Sequence, residues 1–253
     1  MKNATIEIRE CRRVEELSGC VALQREVFAL PEIEISPVRH FVVSRHAGGF
    51  TMGAFAGNQL VGFVLSVAAF TGDRRFFYSH MAAVKKDFQG FGIGAKLKWA
   101  QREMALEKGV NFIKWTFQPV QSRNAFFNLQ KLGAVIKQYE PNFYGTDYST
   151  AGDYSENIGL DSDRLFAEWH LADEKVEKLS KGEKYVETDA VVKRIELRFD
   201  WNELLKNDAP RAVAEQHRIK GEFQTAFAEN TVCRAFERGA ETSAYLISAA
   251  RRG

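Results

Sequence analysis

The stretch that decides the fold is Gln89-Gly90-Phe91-Gly92-Ile93-Gly94-Ala95, which lies between two patterned runs. The preceding run, Phe76–Val84, is aromatic and apolar, which predicts a mostly buried strand. The following run has helical spacing of its apolar residues, Ile93, Leu97, Ala100 and Met104. Glycines between a strand and a helix let successive backbone N–H groups converge at the positive end of the helix. The stretch therefore predicts a site for a phosphate or pyrophosphate.

Two other phosphate motifs compete for this stretch. Gly90–Ala95 fits the dinucleotide pattern G-x-G-x-x-G/A, but Lys85–Gln89 separates the predicted strand from the first glycine. No carboxylate follows the next predicted strand, Asn111–Thr116, where a dinucleotide fold holds a ribose. Gly94-Ala95-Lys96 lacks the ending of a Walker loop. A tight turn without a ligand stays open as an alternative, because glycines also serve such turns.

The glycine stretch resembles the signature of the acyl-CoA N-acyltransferase family, the GNAT superfamily. That signature, Q/R-x-x-G-x-G/A, matches Gln89–Gly94. A second family block, N-x-x-A-x-x-x-Y-x-K-x-G-F, aligns with Ser122–Ala134. Three positions of this block match, Ala125, Lys131 and Gly133, and three differ, Ser122, Leu129 and Ala134. The resemblance covers roughly residues 4–140.

The resemblance implies a binding site for acetyl-CoA or another acyl-CoA. The backbone amides of the glycine stretch would bind the pyrophosphate, which involves Gln89, Gly90, Phe91, Gly92, Ile93, Gly94 and Ala95. The end of the preceding strand would bind the pantetheine arm through Ala82, Ala83 and Val84. Ser122 and Asn124 would either contact the cofactor or cap a helix, which is the commoner role of polar residues at a helix start. No metal site is expected.

His80 is the candidate general base. Period-two geometry of a regular strand places His80, Ala82 and Val84 on one face, next to the predicted pantetheine site. The resemblance agrees, since family members that acylate aromatic amines carry histidines on this strand. An imidazole titrates near neutrality and can take a proton from an ammonium substrate. The alternative is a core histidine bonded to a neighbouring strand or side chain.

The general acid is where the resemblance fails. The tyrosine that protonates the departing sulfur in the family aligns with Leu129, which has no proton to donate. Tyr144 is the first substitute and Tyr139 the second. Tyr144 could equally be an aromatic lid on the substrate. A thiolate could also leave unaided, because a thiol pKa of about 8.5 makes it a tolerable leaving group.

The patterns along the chain predict a mixed α/β (α+β) fold with a largely antiparallel sheet flanked by helices. The predicted order is a strand, two helices, an antiparallel meander, the glycine stretch, a long helix, a strand, a helix and a strand. A doubly wound dinucleotide fold would not contain that meander. The expected division is a catalytic domain at 1–150 and a C-terminal α+β extension at 151–253. Pro141–Asp163 reads as a long loop between them.

Composition limits the classes of function. The 253 residues are 45% hydrophobic and 27% charged, with a net charge of +2, as in an ordinary soluble protein. The scattered basic residues do not predict nucleic-acid binding, and no apolar run is long enough to span a membrane. Three cysteines without a CxxC pair indicate reduced thiols and a cytoplasmic location.

The sequence therefore predicts an N-acyltransferase that moves an acyl group, acetyl by default, from acyl-CoA to the amine of a small molecule. The other hypothesis is a CoA-binding sensor protein of the same fold, in which Leu129 marks lost chemistry. The sequence leaves a homodimer open.

Overall fold

The computed structural model describes residues 5–28, 30–145, 160–197, 200–239 and 242–250. The chain divides into two compact units, Met1–Lys114 and Trp115–Gly253. The predicted boundary at residue 150 lies outside the described residues, so it stays a prediction.

The first unit contains a four-stranded antiparallel meander with helices packed on it. Its elements are β1 (Ile6–Glu10), α1 (Val14–Phe28), α2 (Val38–His46), β2 (Phe50–Ala56), β3 (Gln59–Thr71), β4 (Arg74–Val84) and α3 (Ile93–Glu107). The strands lie in the order β1-β2-β3-β4, and every neighbouring pair is antiparallel. A further strand, β5 (Phe112–Phe117), begins in this unit and pairs in parallel with β4 at Phe77–Ile113 and Tyr78–Lys114.

The core of the first unit lies between the meander and helices α1 and α2. Leu17, Cys20 and Phe41 of the helices are buried against Phe63 and Leu65 of β3. Phe41 meets Phe63 edge to face, with ring centroids 5.8 Å apart. Burying an aromatic side chain of this kind contributes roughly 1.5–3 kcal/mol to folding, which fixes α2 firmly on the sheet.

Helix α3 buries a different face from the one its apolar residues predict. Ile93 and Leu97 are buried as expected, but the rest of the buried stripe is Lys98, Gln101 and Ala105. Ala100 and Met104 are only partly buried. The reason is that the polar side chains of Lys98 and Gln101 donate hydrogen bonds to hydroxyl groups of the sheet.

The second unit is a five-stranded antiparallel sheet with helices. It contains α4 (Ser122–Phe126), which continues into a π-helical turn (Phe127–Lys131), and then β6 (Val135–Glu140), β7 (Arg164–His170), α5 (Glu174–Ser180), β8 (Val191–Leu197), α6 (Trp201–Asn207), α7 (Ala209–Ala228), β9 (Thr231–Glu237) and β10 (Ser243–Ala249). The strands lie in the order β7-β6-β9-β10-β8. Each neighbouring pair is antiparallel.

Local sequence signals account for the helices and core of the second unit. Asp200 caps α6 by accepting hydrogen bonds from the amides of Asn202 and Glu203, and Asp208 caps α7 by accepting one from the amide of Arg211. The aromatic core brings together Phe223, Phe236 and Tyr245, all buried with rings about 5 Å apart. Strands β9 and β10 pair as an antiparallel hairpin.

The mixed α/β class and the mostly antiparallel sheet flanked by helices are confirmed. Within the described residues, no helix is both long enough and apolar enough to cross a membrane.

Candidate active site

The glycine loop, residues Gln89–Ala95, joins β4 to α3 through a tight backbone path. A short 3₁₀ turn, Lys86–Phe88, follows the strand. Gly90 and Gly92 then adopt φ angles of 84° and 76°, in the left-handed region that glycine occupies without strain. These two glycines turn the chain so that α3 starts directly after Gly92.

The N-terminus of α3 is an open group of hydrogen-bond donors. Gly92 is the N-cap residue, and no side chain caps the helix there. The first four amides of a helix have no partner inside it, so they point outward at its positive end. A Cβ atom built on Gly90, Gly92 or Gly94 would meet nothing within 4 Å. A phosphate group could therefore approach this backbone closely, as the sequence predicts.

Side chains around the loop hold its shape. Gln89 donates a 2.9 Å hydrogen bond from its side chain to the carbonyl of Val84. The ammonium group of Lys85 lies 3.5 Å from the carboxylate of Glu26 on α1. The Gln89 side chain thus ties the loop to the end of β4, and one nearby lysine is already paired with a carboxylate.

His80 sits at a β-bulge in β4. Leu65 of β3 pairs with Met81, and the next residue, Ser66, pairs with Ser79, so His80 is an extra residue in the ladder. Such a bulge reverses the alternation of the strand and turns local side chains in a new direction. Bulges are frequent beside active sites, which agrees with a role for His80.

The bulge corrects the predicted grouping of side chains on β4. His80 faces α2, where its ring lies 5.4 Å from that of His40. Met81 and Ala83 pack with the core on the same side. Val84 instead lies with Leu97 of α3 around Gly62. The expectation that His80, Ala82 and Val84 share one face is therefore wrong, because the extra residue shifts the alternation by one.

His80 is largely buried and has a perturbed pKa. Burial, and after it the charge of His40, lower the pKa of His80 below its ordinary value of about 6.5. This shift favours the unprotonated imidazole, which is the form that a general base requires. His40 is a residue that the sequence analysis missed. Its position one residue before the buried Phe41, at the first turn of α2, is the only sequence signal that it faces inward.

The end of β4 offers a strand edge near the loop. The parallel pairing with β5 uses Phe77 and Tyr78, while Ala82, Ala83 and Val84 lie further along the strand. Ala82 is exposed, Ala83 is buried and Val84 is intermediate. The backbone of these three residues is therefore placed between His80 and the glycine loop, as the predicted pantetheine site requires.

A buried polar group lies on the other face of β4. We call Ser66, Ser79, Lys98 and Gln101 the closed cluster. The Lys98 ammonium donates to the hydroxyl of Ser79 at 3.1 Å, and the Gln101 amide donates to Ser66 at 2.7 Å and to Ser79 at 3.0 Å. Burial lowers the pKa of Lys98 well below its ordinary value. The side-chain oxygen of Gln101 has no hydrogen-bond partner within the described part of the chain.

Tyr144 lies in the second unit on a segment fixed by hydrogen bonds. Its backbone amide donates to the hydroxyl of Ser162 at 2.7 Å. Its own hydroxyl lies 3.3 Å from that of Thr116 on β5, and its side chain is half exposed. The guanidinium of Arg164 lies 5.2 Å from the ring centroid. The phenol is thus held in place and remains accessible.

Tyr139, the second candidate acid, has a structural role. Its buried hydroxyl donates to the carboxylate of Asp163 at 2.7 Å. Burial, and then this hydrogen bond, raise the pKa of Tyr139 above its ordinary value. Leu129 is fully buried in the π-helical turn.

Ser122 and Asn124 lie at the start of α4. The N-cap of that helix is Gln121, and its side chain makes no capping hydrogen bond. Ser122 is partly buried and Asn124 is exposed. Their contact with a cofactor stays a prediction.

Residues 13–133 match the family model described as Acetyltransferase (GNAT) family. The matched range includes the glycine loop, His80 and most of the second block, up to Gly133. Residues 13–133 are a GNAT acetyltransferase domain.

Solved structures share the fold of this GNAT domain. A protein of Acinetobacter baylyi ADP1 assigned as an acetyltransferase is 16% identical, with a TM-score of 0.53 over 66% of this chain and 93% of its own. The ribosomal-protein-S18-alanine N-acetyltransferase of Escherichia coli is 15% identical, with a TM-score of 0.51 over 67% of this chain and 97% of its own. A chain of the NatC complex bound to Gag peptide and CoA is 16% identical, with a TM-score of 0.51 over 66% of this chain and 99% of its own.

No curated protein sequence matches this chain. Within the described residues, no group of three His, Cys, Asp or Glu side chains could hold a metal ion.

Proposed function

We propose that the protein transfers an acyl group, acetyl by default, from acyl-CoA directly to the amine of a small molecule. The observation that carries this proposal is the uncapped start of α3 behind two left-handed glycines, at the end of the bulged strand that bears His80. Such an arrangement would place the CoA phosphates near a base whose pKa is lowered. A GNAT domain supports the same reaction class.

The glycine loop would hold the cofactor by its pyrophosphate. The amides at the start of α3 and the positive end of the helix favour a doubly charged group. The strand edge at Ala82, Ala83 and Val84 would accept and donate backbone hydrogen bonds to the pantetheine arm. Ser122 and Asn124 are the further candidates for cofactor contact. We expect CoA, and not a nicotinamide dinucleotide, to bind.

His80 would act on the acceptor amine. An ammonium group must lose a proton before its nitrogen can attack the thioester carbonyl, and the neutral imidazole of His80 would take that proton. The new C–N bond then forms as the C–S bond breaks. The departing thiolate takes a proton, and we propose the Tyr144 hydroxyl as its source.

The acceptor is the part of this proposal that the fold restricts least. The Escherichia coli structure is that of an enzyme for the alanine of a ribosomal protein, and the NatC structure holds a Gag peptide. We propose a small amine, with a peptide amino terminus as the rival acceptor. The test must therefore include both.

A thiol-release assay tests the proposed reaction. Purified full-length protein is mixed with acetyl-CoA and, in separate wells, with amino acids, aromatic amines, polyamines and short peptides with free amino termini. We expect free CoA to appear only with acyl-CoA and an amine of one class together, and mass spectrometry should find the N-acyl product. Release with peptides alone would contradict the small-molecule acceptor, and release with no amine would contradict acyl transfer.

The CoA-binding sensor remains a second candidate, because Leu129 is a fully buried leucine where the family block has its tyrosine. Calorimetry separates the two. Tight CoA binding without thiol release from any amine or peptide supports the sensor, whereas NAD binding without CoA binding contradicts both.

We also propose a catalytic domain that extends to about residue 150, and a cytoplasmic location. Cys11, Cys20 and Cys233 are free and buried, which agrees with a reducing compartment. A homodimer is an open proposal that light scattering would test.

A further inference from the structure

His40 faces His80 across the gap between α2 and the bulge of β4. The two imidazole rings lie 5.4 Å apart, nearly perpendicular to each other. Phe41, the residue after His40, is fully buried, and the Ser44 hydroxyl, on the next turn of α2, lies 3.4 Å from the carbonyl of Ser66. Because α2 is anchored on both sides of its inner face, the position of His40 relative to His80 is set by the core.

The bulge determines which side chains of β4 lie on the side of α2. In a regular strand, the side chain after Ser79 would alternate with its neighbours, but here both His80 and Met81 lie on the α2 side. The extra residue therefore brings an imidazole to His40 without removing Met81 from the core. A packing role alone would not need a second imidazole here.

We propose that His40 is a positioning residue for the acyl transfer, which holds the ring of His80 in place between α2 and the bulge of β4. This inference rests on the proposed function, in which His80 takes the proton of the acceptor ammonium. His40 itself need not touch the acceptor. Its effect reaches the reaction through the orientation and the charge of His80.

Charge repulsion between the rings has a definite sign. A proton on His40 disfavours a proton on His80, and burial disfavours it further, so the pKa of His80 is lowered. A lower pKa keeps the base unprotonated in mildly acidic solution. Removing His40 should therefore raise the pKa of His80 and move the ascending limb of the pH profile to higher pH.

Other titratable groups near β4 are occupied elsewhere. On α1, Glu26 pairs with Lys85 and Cys20 is buried in the core. On α3, Lys98 bonds Ser79 on the opposite face of the strand. On β5, Lys114 lies opposite Tyr78. Burial and His40 are the two causes that shift His80.

The test replaces His40 by Phe, which keeps a ring against His80 but removes its nitrogens and charge. The matched control is His46→Phe, since His46 is the exposed last residue of the same helix. The pKa of His80 is read by NMR titration of its ring protons, which does not require activity. We expect His40→Phe to raise that pKa by roughly half to one unit, because neighbouring charges shift pKa values on this scale. His46→Phe should leave it unchanged.

Kinetics then separate positioning from charge. At pH 6, His40→Phe should lower kcat by up to about fivefold, because a pKa rise of up to one unit protonates part of His80 at that pH. At pH 8.5 part of the loss should remain, because the ring of His80 is held less firmly, and KM for acetyl-CoA should be unaltered. His40→Gln, which restores a hydrogen-bonding side chain without a charge, should recover kcat at pH 8.5 better than His40→Phe does.

Two results would overturn the inference. One is a folded His40→Phe protein whose His80 titrates as in the wild type. The other is a shifted titration with an unshifted pH profile of kcat, which would make the contact irrelevant to the reaction. Failure of the proposed function itself would look different, since wild-type protein would then release no thiol although the NMR titration still reported on the two rings.

Discussion

His80 and the closed cluster lie on opposite faces of β4 and differ in their burial and their hydrogen bonds. On one face, which we call the open side, the partly buried imidazole of His80 lies next to that of His40. In the closed cluster, Lys98 and Gln101 are buried and donate to two serine hydroxyls. Both sides contain a base with a lowered pKa.

The comparison shows that a lowered pKa does not by itself identify a catalytic base. Lys98 is buried, and its ammonium group donates to the hydroxyl of Ser79 in the sheet. His80 keeps some solvent access and lies on the strand that leads to the glycine loop. Solvent access is the property that differs between the two groups, and the predictions below test whether it marks the base of the reaction.

The largest expected effect is on turnover when His80 is replaced. His80→Ala should lower kcat by roughly 10²–10⁴-fold, the contribution of a positioned base, and should leave the Kd of CoA unchanged. Lys98→Met is the matched variant from the closed cluster and should keep kcat near wild type. Steady-state kinetics with the acceptor found by thiol release provide the measurement. A loss of about twofold or less for His80→Ala would make both bases structural.

The second effect concerns CoA affinity. Gly94 has an ordinary φ angle and free space where a side chain would go, so Gly94→Val should fold and still obstruct the approach of a phosphate. We expect CoA to bind about tenfold to a hundredfold more weakly, because hydrogen bonds to a charged group contribute roughly 1.5–3 kcal/mol. Calorimetry measures the Kd of CoA for the variant and the wild type.

Gly221→Val is the control for Gly94→Val, since Gly221 lies within α7 and also has free space around it. Gly92 is a poorer test, because its φ of 76° would strain any other residue. Normal CoA binding by a folded Gly94→Val protein would contradict the proposal that the glycine loop binds the phosphates of CoA.

The sequence predicted the glycine loop and the strand order well, because both depend on local signals. Glycine φ angles, helix caps and apolar periodicity are set within a few residues of the chain. The predicted order of a strand, two helices and an antiparallel meander before the glycine stretch is observed for this reason. The sequence also placed His80 in a strand correctly, although not on the face that it occupies.

The partners of these residues could not be predicted from local patterns. A β-bulge depends on how two strands pair, so the sequence of β4 gives no sign that His80 is the extra residue. The contact with His40 joins residues far apart in the chain. The polar stripe of α3 is similar, since Lys98 and Gln101 are buried only because Ser66 and Ser79 lie opposite them.

The third effect is on stability. The pKa of Lys98 is lowered in the folded state, so between that value and the unfolded value of about 10.4 the unfolded chain binds more protons. The contribution of Lys98 to the free energy of unfolding therefore rises as the pH increases through that window. Lys98→Met should be more stable than wild type at pH 7 by about 1 kcal/mol or more, and this advantage should shrink at pH 9.5.

Urea unfolding of both proteins at the two pH values measures the difference between their free energies of unfolding. The titration of other groups is common to both proteins and cancels in this difference. Lys96→Met, at an exposed position on the same helix, is the control. An advantage of Lys98→Met that does not change with pH would mean that Lys98 is charged in the folded protein.

The smallest expected effect is on the departing thiolate. The Tyr144 hydroxyl is accessible and lies near Thr116, whereas the Tyr139 hydroxyl is buried and bonded to Asp163. If Tyr144 protonates the sulfur, Tyr144→Phe should lower kcat without changing the KM of either substrate, because only the transition state uses that proton. The loss should stay below roughly tenfold, since a thiol of pKa about 8.5 leaves without much help. Tyr139→Phe should instead lower the urea midpoint and leave kcat unchanged.

If Tyr144 is an aromatic lid, the phenylalanine variant should be silent and Tyr144→Ala should raise the KM of the amine. That pair of results would place every proton transfer of the reaction on the open side of β4 and leave the acid role without a residue in the second unit.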